Sequence, residues 1–475
     1  MTLRQRVVVI GGGMSAARLA RQLDAAGADA DVTVVGEEPH AAYNRVLLAD
    51  VLTGRYPPGV ITLPMSRARW MRGVRAVRVD REERRVICDD GSRLGYDTLV
   101  LATGANPVLP PLRGLFEGDG GDLPEGVRAF RTMDDALALR DHVRGGVRAV
   151  VIGGGLLGVS AARALALRGA QVVLAHQGER LMERQLDAGA AAVLRRHLEE
   201  TGVEVHTECR ARGLRTRPGG HRPARTGPTA GSSFRDARDV RAVELADGYP
   251  LEADLVVLAC GVRPRTGLAR AAGLDVARGV VVDDRLCTSD PRIRAIGDCA
   301  EHDGVLYGLA GPAQEQADTL ARVLTARATE GTSDSSGASS AADAPRYRGT
   351  RALTRLTLAA RDARSAAHGT GTATGTGTGT GPQNPQNPPS AQSPQPSLDL
   401  AAFGEPTPRE DDDVVHLTDA TRGIYRKVVV RDDRLVGGIL LGDLRSVGTL
   451  ARTWEGDELL PSEPLLHLLT HDGGS

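Results

Sequence analysis

The sequence predicts an α/β architecture: two Rossmann-like, doubly wound units on parallel sheets, followed by a smaller α+β unit. Three observations carry this. A strand–glycine turn–helix stretch, VVVIGGGMSAARLARQL at 7–23, has a near twin, AVVIGGGLLGVSAARAL, at 149–165. Apolar strand-like runs alternate with helix-like stretches up to about residue 262. The remainder reads as hairpins.

In the first unit RVVVIGGG feeds the helix MSAARLARQLDAAG, DVTVVGEE is a second buried strand, and YDTLVLATGANP is an apolar run ending in a turn. The second unit repeats the plan with VRAVVIGGG, LLGVSAARALALRG, AQVVLAHQ, the helix DAGAAAVLRRHLEETG, VEVHTE and LEADLVVLACG. Strands spaced by helices make a parallel sheet in each half. The expected organisation is residues 1–126 with 263–327, then 127–262, a linker at 328–346, and a C-terminal α+β domain at 347–475. Three stretches break the pattern: RTRPGGHRPARTGPTAGSSFRD (215–236), GTSDSSGASSAADAP (331–345) and GTGTATGTGTGTGPQNPQNPPSAQSPQPS (369–397). The last lies in a low-complexity insertion at about 361–397. They lack the apolar side chains that offset ordering entropy, and disorder is expected there. The first interrupts a β meander. Beyond the last, VVHLTDATRGIYRKVVVRDDRLVGGILLGD reads as hairpins with RDDR as a turn.

Basic and acidic residues nearly cancel, leaving a net charge of −1 over 475 residues. That gives no footprint for nucleic acid and no polybasic patch for a membrane surface. No apolar run approaches the roughly 20 residues of a membrane helix. The first apolar run stops at three glycines, too short for a secretion signal, so a cytoplasmic protein is expected. The five cysteines (Cys88, Cys209, Cys260, Cys287 and Cys299) form no CxxC pair and no metal-ligand spacing. Buried reduced thiols are expected, with no metal site.

Gly11 and Gly13 match G-x-G-x-x-G/A, with Ala16 at the third position. In such a loop the first glycine makes the tight turn and the second lets a pyrophosphate approach the backbone. The third position keeps helix and strand close. The helix start then offers free N–H groups and a positive dipole end to the phosphates. Glu37, at the end of the next strand, is placed to bind ribose hydroxyls. Gly153, Gly155 and Gly158 complete a second fingerprint, where the strand-end residue is His176. Two such loops imply two dinucleotides. Asp298, after an apolar strand, offers a carboxylate to a ribityl hydroxyl, although in isolation a plain strand-end turn explains it equally.

LVLATGANP (Ala102, Thr103, Gly104) and RIRAIGDCA (Gly297, Asp298), with the two loops, make the chain resemble the FAD-dependent pyridine nucleotide–disulfide oxidoreductase superfamily over roughly residues 5–327. Within it, AAYNRVLLADVLTG (41–54), LMERQLD (181–187) and YGLAGPAQEQADTLA (307–321) are similar to the flavin half of assimilatory NAD(P)H nitrite reductase large subunits and to nitrate reductase electron-transfer subunits. TRLTLA (354–359) and LDLAAFGE (398–405) look like one family segment split by the insertion. The resemblance implies FAD at Gly11, Gly13, Ala16, Glu37, Arg45, Thr103, Gly104 and Asp298. It implies NAD(P)H at Gly153, Gly155 and Gly158, with His176 at the strand end. From chemistry alone Arg45 is equally well a surface arginine.

Many relatives carry a redox cysteine where this chain has GEEPHAAYNRVLLADVLTGRYPPGV (36–60), without cysteine. A disulfide relay or peroxidatic thiol is therefore not expected. The cysteine-free final third offers no ligands for an iron–sulfur cluster, so nitrite reduction by the chain itself is not expected either. An acid at 176 would favour NADH; His176 decides neither way, Arg180 offers a phosphate partner, and the expectation leans to NADH. The implied function is electron transfer from NAD(P)H through FAD to a sirohaem nitrite reductase, a molybdenum nitrate reductase subunit or another small redox protein. A stand-alone ferredoxin- or rubredoxin-type reductase and a flavin-binding redox sensor are the alternatives. The third domain is expected to cover the flavin, dock a partner or form a homodimer face.

Overall fold

The computed structural model describes residues 4–116, 123–218, 238–330, 345–359, 397–461 and 464–469. In the first lobe the strands Ile293–Ala295, Thr98–Leu101, Gln5–Ile10, Ala30–Gly36 and Arg69–Arg72 lie side by side in that order, all parallel. Val7 to Ile10 are all buried, as a central strand covered on both faces requires. The helix Met14–Ala25 turns Ala16, Ala17, Leu19, Ala20 and Leu23 inward at helical spacing.

The second lobe repeats the design with Val203–His206, Gln171–Ala175, Arg148–Ile152, Leu255–Leu258 and Val127–Ala129, again parallel. Its helix Leu156–Leu167 is apolar on nearly every side and buried from Gly158 to Leu165 apart from Ser160. A helix of this kind needs cover on two faces, and the third domain supplies the second. Ala105–Pro107 and Val262–Pro264 pair antiparallel where the chain returns to the first lobe.

The meander expected beside the second lobe consists of Ala211–Pro218, Arg238–Leu245 and Pro250–Glu252. Its first strand continues through 215–218, into the stretch that composition marks as an insertion. Arg238–Leu245 offers it unpaired backbone groups, and Pro218 closes the ladder opposite Arg238. The remainder of that insertion, 219–237, lies outside the described residues, as do 331–344 and 360–396. The helix Ala310–Glu330 runs past 328, where a linker is expected to begin.

The third domain is a five-stranded antiparallel sheet in the order Leu353–Leu358, Leu398–Gly404, Arg434–Leu441, Ile424–Arg431, Asp413–Asp419, backed by the helix Val447–Gly456. Asp432 and Asp433 both have positive φ, 48° and 55°. The two-residue turn within RDDR is thus of the primed kind that matches strand twist. Leu356, Leu358, Leu398, Leu400, Tyr425, Ile439 and Leu441 join one core with the second lobe and with Tyr43, Leu48, Val51, Leu52 and Ile61. The segment after the first lobe's second strand is therefore packed into its neighbours' core rather than its own. Each fully buried leucine contributes roughly 1.5–3 kcal/mol to that junction.

Candidate functional site

Both glycine loops lie at the carboxyl ends of their parallel strands, where open α/β sheets bind ligands. Gly11 has φ +116°, and a Cβ there would stand 2.0 Å from the Ala102 carbonyl oxygen. Only glycine fits. Gly13, by contrast, caps the helix Met14–Ala25 in an ordinary extended conformation, and a Cβ on it would meet nothing within 4 Å. No side chain caps this helix start, and no acid lies in its first turn. The helix start thus keeps free N–H groups and leaves open space on the side a Cβ of residue 13 would fill, the arrangement a pyrophosphate requires. Ala16 is buried against the sheet.

The other candidate residues of the first lobe gather around this loop. Gly36 lies beneath Gly12, so that a Cβ on Gly12 would stand 3.3 Å from the Gly36 Cα. Glu37 follows directly, its two oxygens paired with Arg75 at 2.8 Å and Arg265 at 2.6 Å. The Thr103 hydroxyl donates to the Arg265 carbonyl at 2.8 Å, and Gly104 has φ +70°. Gly297, with φ +78°, brings its turn against Ser15 at the start of the helix. Its neighbour Asp298 accepts a 2.6 Å hydrogen bond from Arg131, and both side chains are only 17% exposed.

Arg131 belongs to the strap that enters the second lobe, and it ties the site together. Its carbonyl accepts from Arg45 at 3.0 Å. Arg45 also pairs with Glu38 and lies over the Tyr43 ring. The Tyr43 hydroxyl donates to Glu38 at 2.6 Å and accepts from the Met133 N–H at 2.9 Å. Burial raises the Tyr43 phenol well above its ordinary range and keeps it neutral. Arg131, Glu38, Tyr43, Arg75 and Arg265 were not among the residues expected from sequence. Tyr43 lies within AAYNRVLLADVLTG, Glu38 ends DVTVVGEE, and Arg131 stands just ahead of the Thr132–Asp135 capping box that starts the next helix, whereas Arg75 and Arg265 have no local signal.

The second loop is built alike. A Cβ on Gly153, φ +114°, would stand 2.4 Å from the Ala259 carbonyl oxygen, and one on Gly158 only 1.7 Å from that of Gly153. Gly155 is the uncapped N-terminus of Leu156–Leu167, again with nothing within 4 Å and no acid in the first turn. His176 turns its ring over this loop, its Nδ1 accepting the Gly154 N–H at 3.2 Å. Both loops therefore fit a dinucleotide.

Four of the five thiols are held away from redox chemistry by burial. Burial raises Cys88, Cys209 and Cys299, and raises Cys260 to about 11, so these four are protonated at neutral pH. No cluster of three or more metal-ligating side chains occurs among the described residues. No helix among them is long and apolar enough to cross a membrane.

Residues 5–318 match the model of the pyridine nucleotide-disulphide oxidoreductases. The chain belongs to this family. Residues 397–455 match the rubredoxin NAD+ reductase C-terminal domain. Among relatives of this oxidoreductase, nitrite reductase [NAD(P)H] of Bacillus subtilis is 31% identical over 447 residues, covering 93% of this chain and 46% of its own. The assimilatory nitrate reductase electron transfer subunit of the same organism is 30% identical over 451 residues, covering 93% and 48%. Putidaredoxin reductase of Pseudomonas putida is 30% identical over 314 residues, covering 65% and 69%. The chain thus spans about half the length of the nitrite and nitrate reductase relatives. The covalent putidaredoxin reductase–putidaredoxin complex has the same fold, with a TM-score of 0.73 at 22% identity over 98% of this chain and 99% of that one. As a member of the family, the chain is an FAD-dependent NAD(P)H oxidoreductase.

Proposed function

We propose that the first lobe holds FAD, the second holds NAD(P)H, and the chain serves as the electron-transfer component of an assimilatory nitrite or nitrate reductase. FAD, when bound, accepts hydride from the nicotinamide and gives up electrons to an acceptor. The chain's own residues supply position. Gly11, Gly13 and the start of Met14–Ala25 receive the flavin pyrophosphate, Glu37 the ribose and Asp298 the ribityl chain, with Arg45, Thr103 and Gly104 at the rim. Gly153, Gly155 and Gly158 do the same for the nicotinamide dinucleotide, with His176 at its adenosine end. One observation carries the reading: two uncapped helix starts, each with open space where a Cβ on its first glycine would stand, in a chain whose shifted thiols are all raised by burial. None of these four thiols is a ready nucleophile, so the reading needs no sulfur relay between the cofactors the two loops would hold.

A second reading has its own support. The match of 397–455 to the rubredoxin NAD+ reductase C-terminal domain favours a stand-alone reductase with a small iron–sulfur protein as acceptor. Anaerobic titration of the FAD-loaded protein with NADH and NADPH tests the shared core, because bleaching of the flavin band is expected. Turnover with a sirohaem nitrite reductase or a molybdenum nitrate reductase, set against turnover with a ferredoxin or rubredoxin, separates the two readings. A flavin that neither nucleotide reduces would end both.

A further inference from the structure

The residues that lead into the third domain are bound back onto the first lobe by a one-way chain of hydrogen bonds. Tyr347 is the anchor. It lies in the first lobe's core, its ring edge-on to His302 and its N–H bonded to the Asp284 carbonyl at 2.6 Å. Burial raises its phenol above the ordinary range, so the hydroxyl keeps its proton. Two groups meet that hydroxyl: Thr350 Oγ1 at 2.6 Å, and the side-chain amide of Gln316 on the helix Ala310–Glu330. Thr350 donates its own proton to Glu315 at 2.6 Å, so Tyr347 is the donor toward Thr350. Gln316 Oε1 accepts the Gly297 N–H at 2.7 Å, which leaves its NH2 as the end that donates to Tyr347. The donors therefore run in one direction, from Gly297 through Gln316, Tyr347 and Thr350 to the Glu315 carboxylate. Bonds in such a chain polarise and strengthen one another. Tyr347 and Gln316 are each 1% exposed, so no solvent stands ready to replace a lost partner.

The near end of this chain is the turn beside the first glycine loop. Gly297 is held between Gln316 and Ser15, whose Oγ a Cβ on Gly297 would approach to 2.8 Å, and Asp298 follows directly. Resting on the reading of Asp298 as a flavin-binding residue, we propose that Tyr347 is a positioning residue for FAD. Through Gln316 its hydroxyl fixes the Gly297–Asp298 turn, so the tether of the third domain sets how tightly the first lobe holds the flavin. Phenylalanine would fill the same volume; only the hydroxyl joins the tether to the turn.

Tyr347→Phe in the full chain tests this. In the apoprotein, hydrogen exchange of the peptide containing Gly297 is expected to quicken at least fivefold, with exchange in the strand Gln5–Ile10 unchanged. The FAD dissociation constant, read by flavin fluorescence, is expected to weaken at least fivefold. Either readout equal to wild type overturns the proposal, and so does faster exchange in both peptides, which would mark a general loosening. Gln316→Leu removes the relay itself, and in that background Tyr347→Phe is expected to weaken FAD less than twofold further; a full fivefold there shows that the hydroxyl acts by another route and overturns the relay. Thr350→Val takes the acceptor from Tyr347 and carries the test if either variant does not fold: at least twofold weaker FAD is expected, and unchanged binding overturns the proposal. If the wild-type apoprotein binds no FAD, the reading of the first lobe falls and takes the proposal with it. FAD held equally by wild type and Tyr347→Phe sinks the proposal alone.

Discussion

Arg131, on the strap into the second lobe, donates to Asp298, on the return segment of the first, across 167 residues of chain and 2.6 Å of space. The pair closes one side of the first glycine loop while the Arg131 carbonyl holds Arg45. Removing the guanidinium would leave a largely buried carboxylate without its charge partner, an arrangement that costs more than the pair gains. Arg131→Ala is expected to weaken FAD retention at least tenfold, read as the dissociation constant from flavin fluorescence on dilution. Retention equal to wild type would separate this pair from the cofactor.

The two kinds of glycine in the loops predict opposite behaviour. Gly158→Ala would drive a methyl into the Gly153 carbonyl oxygen, 1.7 Å away, and backbone cannot yield to that extent. It is expected to lower the melting temperature of the apoprotein by many degrees or abolish folding. Gly13→Ala meets no protein atom and needs no unusual φ. Its apoprotein should melt as wild type does, while FAD binding falls at least tenfold because the methyl occupies the phosphate approach.

His197 predicts a loss of stability in mild acid. It is 6% exposed, its Nε2 has no partner among the described residues, and burial with the nearby Arg163 lowers it to about 4, against a smaller opposing pull from Glu200. The unfolded chain takes up a proton below about 6.5 that the folded chain refuses. Stability is therefore complete above that pH and is lost as pH falls from about 6.5 to 4, by up to about 3 kcal/mol. Urea midpoints measured between pH 7 and 4.5 should fall less steeply in His197→Leu than in wild type.

Asp187 fastens the third domain to the second lobe. It caps the helix Ala188–Glu200 through the Ala190 N–H and accepts from Tyr425 at 2.7 Å and from Lys427 at 2.9 Å. Lys427 is 9% exposed, so loss of the carboxylate strands a nearly buried ammonium. Asp187→Ala is expected to cost about 3–5 kcal/mol in urea unfolding. Asp187→Ala combined with Lys427→Met should recover part of that, since the stranded charge is gone. Equal losses in the single and double variants would argue that the cap alone matters.

The parts of the fold legible in the sequence were those written in short stretches. The glycine loops, the strands beside them and the RDDR turn each depend on residues a few positions apart. The partners that complete the candidate site do not. Glu37 meets Arg265 across 228 residues and Asp187 meets Lys427 across 240, separations that leave no periodic trace in the chain. The start of the insertion near 215 was misplaced for a related reason. RTRP has the composition of a loop, yet a neighbouring strand with open hydrogen-bonding groups extends the ladder to Pro218. Buried charged residues such as Arg163, 4% exposed, were equally invisible, because a cation on a helix ordinarily marks its wet face.

Leu358 and Leu398 are ladder partners, so the long tract between them leaves and re-enters the sheet at adjacent points of a hairpin. Each doubling of such a connection costs only about 0.6 kcal/mol of closure entropy, because that cost grows with the logarithm of loop length. The same point is therefore a natural graft site, where a fluorescent reporter or an affinity handle could replace the tract and leave both nucleotide lobes as they are.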